Sequence, residues 1–426
     1  MATTRGAPPL TPAETLRQLE SLRARTVRLL AGGVALGATG YIAAATVGAL
    51  AGRDLGGSEA WSGVPTAAAV LGTAFGAAAL SWVSARHGRR RALVLGYLLG
   101  AVAGVGAVAA LQVRSFPLLL IAMFVLGWPN AASQISRYAG GDLYIQARRA
   151  RAVGTVVWGA TIGAVVGPNL VGPMGQVAEA SGWDPLAGAF VVGICAFGIA
   201  GVLGHLLLRP DPSEIAESPA PHPDDGRVGS VSVRGLLARP AISAALTALV
   251  AGQVVMVMVM TMTPLHLREH GHGLEVVGLV LSAHTLGMFA LAPISGRLTD
   301  RFGPLPTITT GFAILAAACV LAFVAPSGGG PILVVALFLL GFGWNLGFVA
   351  GSSMVSGGLP LAIRARLQGT IDAVIWTSSA MASVASGALM GIIGFDGLAV
   401  LSALLTVVPA VVVIASVRRM PVPQRT

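Results

Sequence analysis

Two ionisable side chains lie inside long apolar stretches, and both could bind a proton. Asp372 follows Thr370 at the start of one stretch, and His284 lies midway along another. Burial favours the neutral form of a carboxylic acid or an imidazole, so either group can take up or release a proton as its surroundings change. We predict that Asp372, His284 or both carry proton coupling. The alternatives are a charge favoured by a helix N-terminus at Asp372 and a satisfied interior histidine at His284.

A Met- and His-rich stretch raises a second kind of chemistry, the binding of a soft metal or a metal chelate. His266 and His270 are four residues apart, a spacing that can chelate a metal if the helix continues past Pro264. Methionine also provides plastic packing for a variable apolar ligand, so the metal is kept as an alternative. The candidate residues are Met256, Met258, Met260, Met262, His266, His270 and His272.

Polar and aromatic residues inside otherwise apolar stretches are candidates for a substrate cavity. Their amides and rings, with few charges, suit a neutral or amphipathic organic molecule, although interior packing or interfacial anchoring is the alternative for any one of them. The candidates are Tyr41, Trp128, Asn130, Gln134, Trp158, Asn169, Gln253, Trp344, Asn345 and Trp376. No nucleophile, metal cluster or cofactor constellation accompanies them, so the sequence predicts neither an enzyme nor a cofactor.

The elements that must position these residues are membrane-spanning helices. The 426-residue chain is 55% hydrophobic and 10% charged, far below the roughly 25% charged residues of soluble domains, and its mean hydropathy is +0.80. A helix needs about 20 apolar residues to cross the hydrocarbon layer, and the alternating segments of a β-barrel are absent from the sequence. We predict an all-α membrane protein with twelve spans. They lie near residues 28–51, 64–84, 92–112, 116–140, 152–174, 186–208, 240–263, 276–295, 305–325, 331–355, 370–392 and 397–417.

The basic residues predict the orientation. All 27 are Arg, and with twelve spans and an internal N-terminus only Arg53, Arg114 and Arg268 fall outside the cell. The sequence therefore predicts the plasma (inner) membrane with both termini cytoplasmic. The net charge of +10 is then explained by Arg residues that face lipid headgroups, and it does not indicate binding of nucleic acid. Two charged residues beside span 4, Arg137 and Asp142, are interpreted as lying at the interface. Thr11 and Glu14 form a capping-box pattern that predicts a short helix on the cytoplasmic surface before span 1.

The chain contains an internal repeat. Residues 149–155 read RARAVGT and residues 364–370 read RARLQGT, and further landmarks recur at the same offset of 215 residues. They are Arg86 and Arg301, Gly88 and Gly303, Gly96 and Gly311, and Asn130 and Asn345. We predict two pseudo-symmetric six-helix halves, residues 28–208 and 240–417. They follow an N-terminal segment (1–27), are joined by a disordered cytoplasmic linker (209–239), and precede a tail (418–426).

These features resemble the Major Facilitator Superfamily. Its loop signature after span 2, G-x-L-x-D-R-x-G-R-[KR], is matched in two incomplete parts, with Ser81 and Ala85 in place of Gly and Asp in the first half. The resemblance implies that Asp300 latches one conformation by pairing across the halves with Arg149 or Arg151, whereas topology signalling alone is the alternative for these Arg residues. The latch candidates are Gly296, Asp300, Arg301, Gly303, Arg86, Gly88, Arg89, Arg90, Arg149 and Arg151.

Span 5 resembles the antiporter signature GxxxGPxxGG of drug:proton exporters through Gly163, Gly167, Pro168 and Gly172, with Val171 replacing one Gly. Ordinary close packing is the alternative reading. Unlike many proton-driven exporters, the chain has no acid in span 1 and has Met123 at the usual Arg position of span 4. The resemblance implies a monomeric secondary transporter that works by alternating access and exports small organic compounds in exchange for protons. Alternatives are uptake of a metabolite, transport of a metal, or a receptor-like protein without transport.

Overall fold

The computed structural model describes residues 11–57, 61, 63–216, 233–237, 239–271, 274–325, 330–356, 359 and 361–418. Within these ranges the regular elements are α-helices. Their bounds are α1 Pro12–Gly56, α2 Val64–His87, α3 Arg89–Gln112, α4 Phe116–Asp142, α5 Gln146–Ala180, α6 Ala187–Leu207, α7 Val233–Leu237, α8 Pro240–Glu269, α9 Leu274–Phe289, α10 Ala292–Phe302, α11 Pro304–Val324, α12 Gly330–Val355 and α13 Leu361–Arg418.

Eleven candidate spans in the described residues are long and apolar enough to cross a membrane, and one of them is twice the usual length. This long segment belongs to α13, in which Gly394 has a φ of 68° and interrupts the helical backbone. Each side of Gly394 is long enough to span the hydrocarbon layer, so α13 provides the eleventh and twelfth crossings. The eighth crossing is made of α9 and α10, which are separated at residues 290–291. The predicted fold class is confirmed.

The first helix begins where the sequence predicts but continues further. Thr11 Oγ1 accepts a hydrogen bond from the Glu14 backbone N–H at 3.3 Å, and Glu14 accepts one from the Thr11 backbone N–H at 2.8 Å. The capping box is therefore present. The prediction of a separate short surface helix is wrong, because α1 runs without interruption into the first crossing. No residue between the two apolar patterns ends the helix.

The two halves have largely separate cores. One buried cluster joins residues of α1 to α6, and the other joins residues of α7 to α13 together with Tyr138, Val153 and Val157 from the first half. The repeat is visible in the backbone: Gly88 (φ 89°, ψ 165°) and Gly303 (φ 90°, ψ 160°) make the same turn between equivalent helices. This conformation at positive φ favours glycine.

The linker is more ordered at its ends than the sequence predicts. The carboxylate of Asp211 accepts hydrogen bonds from the backbone N–H groups of Arg89 and Arg90, both at 3.1 Å, and so caps the start of α3. At the other end, Leu236 in α7 is fully buried. The prediction of disorder is wrong for residues 209–216 and 233–237, and residues 217–232 lie outside the described part.

Candidate functional site: the cavity between the halves

A cavity of about 450 Å³ lies between the two halves. Its lining residues come from α1, α2, α4 and α5 of the first half and from α8, α9, α12 and α13 of the second. The helices α3, α6 and α11 instead present exposed apolar side chains, such as Val102, Ile199 and Val320, on the outside of the bundle. This arrangement places a pocket at the centre of the bundle and hydrocarbon-compatible surface around it.

The structure brings together six of the ten cavity candidates: Tyr41, Asn130, Gln134, Gln253, Trp344 and Trp376 line the cavity. The other four lie elsewhere, so their assignment to the cavity is corrected. Trp128 packs beside Phe75, with ring centroids 5.9 Å apart. Trp158 is 41% exposed, and the exposed Asn169 donates to the carbonyl of Val165. Asn345 is fully buried and accepts from Ser295 while donating to the Met288 carbonyl at 2.6 Å. These two hydrogen bonds join α12 to α9 and α10.

The second half contributes an aromatic wall to the cavity. Trp344 stacks on Phe348 with ring centroids 4.4 Å apart, and Phe289 meets Trp344 edge-on at 6.1 Å. The Trp344 indole N–H donates to Gln253, whose amide donates in turn to Ser379, so the orientation of the wall is fixed by hydrogen bonds. The first-half lining is mainly aliphatic, with Val34, Ala38, Ile42, Val70, Val156, Val157 and Ala160.

A buried ion pair joins the halves at the cavity wall. Arg137 of α4 donates to Asp372 of α13 at 2.5 Å, and Tyr138 donates to the same carboxylate oxygen at 3.0 Å. Arg137 and Asp372 are each 1% exposed, and the Arg137 guanidinium also lies 4.3 Å from the ring centre of Phe348. The pair thus connects a titratable residue of one half to a fixed positive charge of the other.

The interfacial interpretation of Arg137 is therefore wrong. The sequence held one signal for the pair: Arg137 and Asp372 are opposite charges at spans of different halves, and buried charges are normally paired. His284 also lies in the cavity wall and is 1% exposed, and its Nδ1 is 2.9 Å from the Leu337 carbonyl. That contact satisfies one ring nitrogen, whereas the buried Nε2 has no hydrogen-bond partner among the described residues, so the alternative of a satisfied interior histidine is met only in part.

Asp300 joins the halves at the end of the bundle that carries most of the Arg residues, here called the Arg-rich end. Its two carboxylate oxygens accept from the backbone N–H groups of Ala150 and Arg151, each at 3.0 Å, near the N-terminus of α5. Side-chain contact is looser, with Arg151 Nε 4.0 Å from the carboxylate. The predicted partner segment is found, but the hydrogen bonds are mainly to the backbone. Gly296 allows the approach, because a Cβ there would overlap the Ala150 backbone.

Asp142 forms a second link between the halves at the Arg-rich end, so the interpretation that it lies at the lipid interface is wrong. Asp142 receives the side chains of Arg89 at 2.6 Å and Arg364 at 2.8 Å, and Arg89 also donates to Gln368 at 2.5 Å. The charged members are at most 2% exposed. This network joins α3 and α4 to α13 and so adds a link between the halves to the one that Asp300 makes.

Three of the remaining latch candidates make other contacts. The guanidinium of Arg86 lies over the Trp82 ring at 4.1 Å, and that of Arg301 lies over the Phe302 ring at 5.2 Å. Arg90 is tied through its backbone to Asp211. Gly88 and Gly303 provide the turns between helices, and Arg149 is partly buried beside Gly141.

The glycines of the antiporter-like pattern pack within the first half. A Cβ at Gly163 would overlap Ala38 of α1, and one at Gly167 would lie 2.8 Å from the Thr39 carbonyl oxygen. Pro168 lies inside α5 without ending it, and Gly172 has no atom within 4 Å of a Cβ position. The small residues therefore bring α5 against α1, as the packing alternative requires.

The Met- and His-rich stretch divides between two environments. Met256 and Met260 line the cavity, whereas Met258 and Met262 pack into the core of the second half. The helix continues past Pro264 to Glu269, and His270 follows it with its ring centroid 4.4 Å from that of His266, but the His266 ring also stacks on Phe395 at 4.2 Å. Among the described residues no group of three possible metal ligands occurs, and His272 lies outside them.

The halves separate towards the end opposite the Arg-rich end. At the Arg-rich end, a Cβ at Gly154 would overlap Ala292 and one at Gly369 would overlap Ser81, so helices of different halves are in contact there. Further along the same helices, Gly172 of α5 and Gly387 of α13 have no atom within 4 Å of a Cβ position. The close contact between helices of different halves at Gly154 and Gly369 is thus absent at Gly172 and Gly387.

A family model described as "Major Facilitator Superfamily" matches residues 29–276 and 266–426. The chain belongs to the Major Facilitator Superfamily. It is accordingly a multi-pass membrane transporter whose bilayer-embedded halves surround a small-molecule cavity. The latch, antiporter-like and proton-coupling roles of its residues remain predictions.

Two relatives show how far this similarity extends. The chain is 36% identical over 402 residues to the uncharacterized MFS-type transporter YddS of Bacillus subtilis, covering 93% of this chain and 91% of the relative. It is 28% identical over 375 residues to the riboflavin transporter RfnT of Brucella anthropi, covering 87% and 90%. Among solved structures, the human organic anion transporter MFSD10 superposes with a TM-score of 0.74 at 16% identity, over 92% of this chain and 99% of that one.

Proposed function

We propose that this transporter couples protons to the movement of planar aromatic or amphipathic organic compounds, with Asp372 as the proton-binding residue. The observation that supports the proposal is the buried Arg137–Asp372 pair across the two halves at the cavity wall. Protonation of Asp372 removes its negative charge and weakens the attraction to Arg137. Proton binding therefore favours a conformation in which the halves separate at this level, and this differential affinity is what coupling requires.

The contacts at the Arg-rich end act as the latch in this proposal. Asp300 at the N-terminus of α5, and Asp142 between Arg89 and Arg364, hold the two halves together. The distribution of Arg supports a cytoplasmic position for this end and a plasma-membrane location for the protein. The structure then corresponds to a state whose cavity opens to the outside of the cell.

The lining of the cavity supports the substrate class. Stacked and edge-on rings at Phe289, Trp344 and Phe348 offer favourable geometry to a planar ring, and Met256 and Met260 adapt to its outline. Similarity to a riboflavin transporter makes riboflavin the first compound to test. Export is proposed from the antiporter-like pattern of α5.

The experiment is transport of riboflavin by the purified protein in liposomes with an imposed pH gradient. Antiport predicts that riboflavin accumulates inside liposomes whose interior is acidic, whereas symport predicts accumulation when the exterior is acidic. The sign is independent of how the protein is oriented in the vesicle. We expect antiport for the wild type, and loss of the response to the gradient in Asp372→Asn.

The matched control is Asp54→Asn, which alters an exposed pair with Arg114 outside the cavity and leaves coupling unchanged. Equal stimulation by the gradient in the wild type and in Asp372→Asn would contradict the proton-binding role. If riboflavin gives no flux, a thermal-shift screen of planar aromatic compounds of each charge supplies the next substrate. Absence of flux for every hit favours the receptor-like alternative.

A further inference from the structure

A second cavity, of about 270 Å³, lies inside the first half, and the proposed transport cycle does not use it. It is bounded by α1 and α6, with α3 and α4 at its inner end. Its walls are leucines, alanine and three glycines, Gly32, Gly33 and Gly204. The inner end carries Tyr97, which is 3% exposed. This cavity shares no lining residue with the central one.

The cavity exists because α1 separates from α3 over one helical turn. At Gly37 the helices touch, since a Cβ there would lie 2.9 Å from the Tyr97 ring. At Gly33 the distance from the Cβ position to the nearest Tyr97 ring carbon grows to 3.7 Å, and at Gly32 no atom lies within 4 Å. Because Gly32 and Gly33 have no side chains, an open crevice remains between the helices, and a single larger residue there would fill it.

The mouth of the crevice faces the hydrocarbon layer. Val202, Leu203 and Leu206 of α6 are 52%, 42% and 56% exposed, and Leu203 itself lines the cavity. In a membrane such a surface contacts lipid, so the cavity is accessible to molecules directly from the bilayer. Arg28 also lines the cavity, one turn from Gly32 towards the Arg-rich end, and it is exposed. A guanidinium at the depth of the headgroups pairs well with phosphate.

We propose that this crevice is a binding site for an anionic phospholipid. One acyl chain enters between α1 and α6 and ends near Tyr97, and the phosphate binds Arg28. The lipid then fills the gap that the glycines leave and supports the packing of α1 in the first half. The site is independent of the proposed proton coupling, because it shares neither residues nor ligand with it.

The test uses the purified full-length protein in detergent, stripped of lipid and then supplied with dioleoylphosphatidylglycerol or dioleoylphosphatidylcholine. Native mass spectrometry counts bound lipid, and the melting temperature reports its effect. We expect preferential retention of phosphatidylglycerol and a raised melting temperature. Gly32→Leu fills the crevice and reduces retention by about tenfold, because each buried CH₂ of the chain contributes to affinity. Gly198→Leu on α6 is the control, since its Cβ position is also open but lies outside the cavity.

Arg28→Gln provides a second variant that leaves the apolar walls intact. It should abolish the preference for phosphatidylglycerol over phosphatidylcholine while retaining some binding of both. The proposal is overturned if Gly32→Leu retains as much phosphatidylglycerol as Gly198→Leu, or if the wild type binds the two lipids equally. If Gly32→Leu instead weakens riboflavin binding with lipid retention intact, the crevice is a substrate-access site and the lipid assignment is wrong.

Discussion

Arg137 and Ser352 occupy equivalent positions in the two halves and contact each other, with Arg137 Nε donating to Ser352 Oγ at 2.9 Å. They are 215 residues apart, which is the offset of the repeat. Equivalent positions can touch only close to the axis that relates the halves. Arg137 therefore lies near this axis, where one side chain can contact both halves. The position equivalent to Asp372 in the first half is occupied by Val157, so the repeat does not produce a second ion pair related to the first by the axis.

Removing one partner of the Arg137–Asp372 pair should destabilise the protein far more than removing both partners. Arg137→Met leaves the Asp372 carboxylate buried without its counter-charge, a change that costs about 3–5 kcal/mol. In Arg137→Met/Asp372→Leu the uncompensated charge is gone, and most of the stability should return. Melting monitored by tryptophan fluorescence measures both variants. Equal destabilisation in the single and double variants would contradict the pairing.

Asp142 should matter much more to stability than an exposed acid of the same type. Asp142→Asn weakens two buried ion pairs and leaves Arg89 and Arg364 in excess positive charge, so we expect a loss of several kcal/mol, on the order of a broken buried pair. Asp54→Asn breaks an exposed pair with Arg114, which contributes about 0–1 kcal/mol. Thermal melting of the two variants at several chloride concentrations compares their losses of stability. Similar losses in both would show that the Asp142 network does not hold the halves together.

The spans could be predicted from the sequence because hydropathy and Arg placement depend on local composition. The roles of Arg137 and Asp142 could not, because a charge near a span end is equally compatible with lipid headgroups and with a partner from the other half. The partners Asp372 and Arg364 are more than 200 residues away in the chain. Equivalence in the repeat also does not predict which residues line the cavity. Asn130 and Asn345 are equivalent, but Asn130 lines the cavity, whereas Asn345 is covered by α9 and α10.

This matched pair of asparagines separates stability from ligand binding. Asn345→Ala removes the partner of the Ser295 hydroxyl and of the Met288 carbonyl, and each unsatisfied buried group costs about 1–3 kcal/mol. We expect a lower melting temperature and unchanged affinity for a transported compound. Asn130→Ala should lower stability less and change affinity. Thermal melting and ligand titration on the same preparations check both. The reverse pattern would return Asn345 to the substrate site.

His266, near the end of α8, and His270, directly after it, should respond as packing residues rather than as metal ligands. His266 stacks on Phe395, and His270 Nδ1 lies 2.8 Å from the His266 carbonyl oxygen. His266→Phe should therefore preserve the stack and the melting temperature, whereas His266→Ala should lower it. Addition of Zn²⁺ or Ni²⁺ should leave the melting temperature of the wild type unchanged. A metal-dependent rise that His270→Ala abolishes would restore the metal alternative.

Two equivalent glycines should control which end of the cavity is closed. Any side chain at Gly154 overlaps Ala292, and any at Gly369 overlaps Ser81, so Gly154→Leu and Gly369→Leu are incompatible with the closed Arg-rich end. We expect both variants to favour a conformation that opens at that end, because the larger side chain destabilises only the state in which the helices touch. Gly172→Leu is the control, since its Cβ position is open in this structure.

The measurement is labelling of a cysteine introduced at Ser379 in the cavity. Replacing Cys195 and Cys319 with Ala leaves this as the reporter, because the chain has two cysteines. A membrane-impermeant maleimide is applied to intact cells and to inverted vesicles. With Gly154→Leu or Gly369→Leu, labelling should slow in cells and accelerate in inverted vesicles, and a roughly tenfold change in the ratio of the two rates corresponds to a shift of about 1.4 kcal/mol between the two states. Unchanged labelling from both sides would mean that the contacts at Gly154 and Gly369 do not hold the Arg-rich end closed.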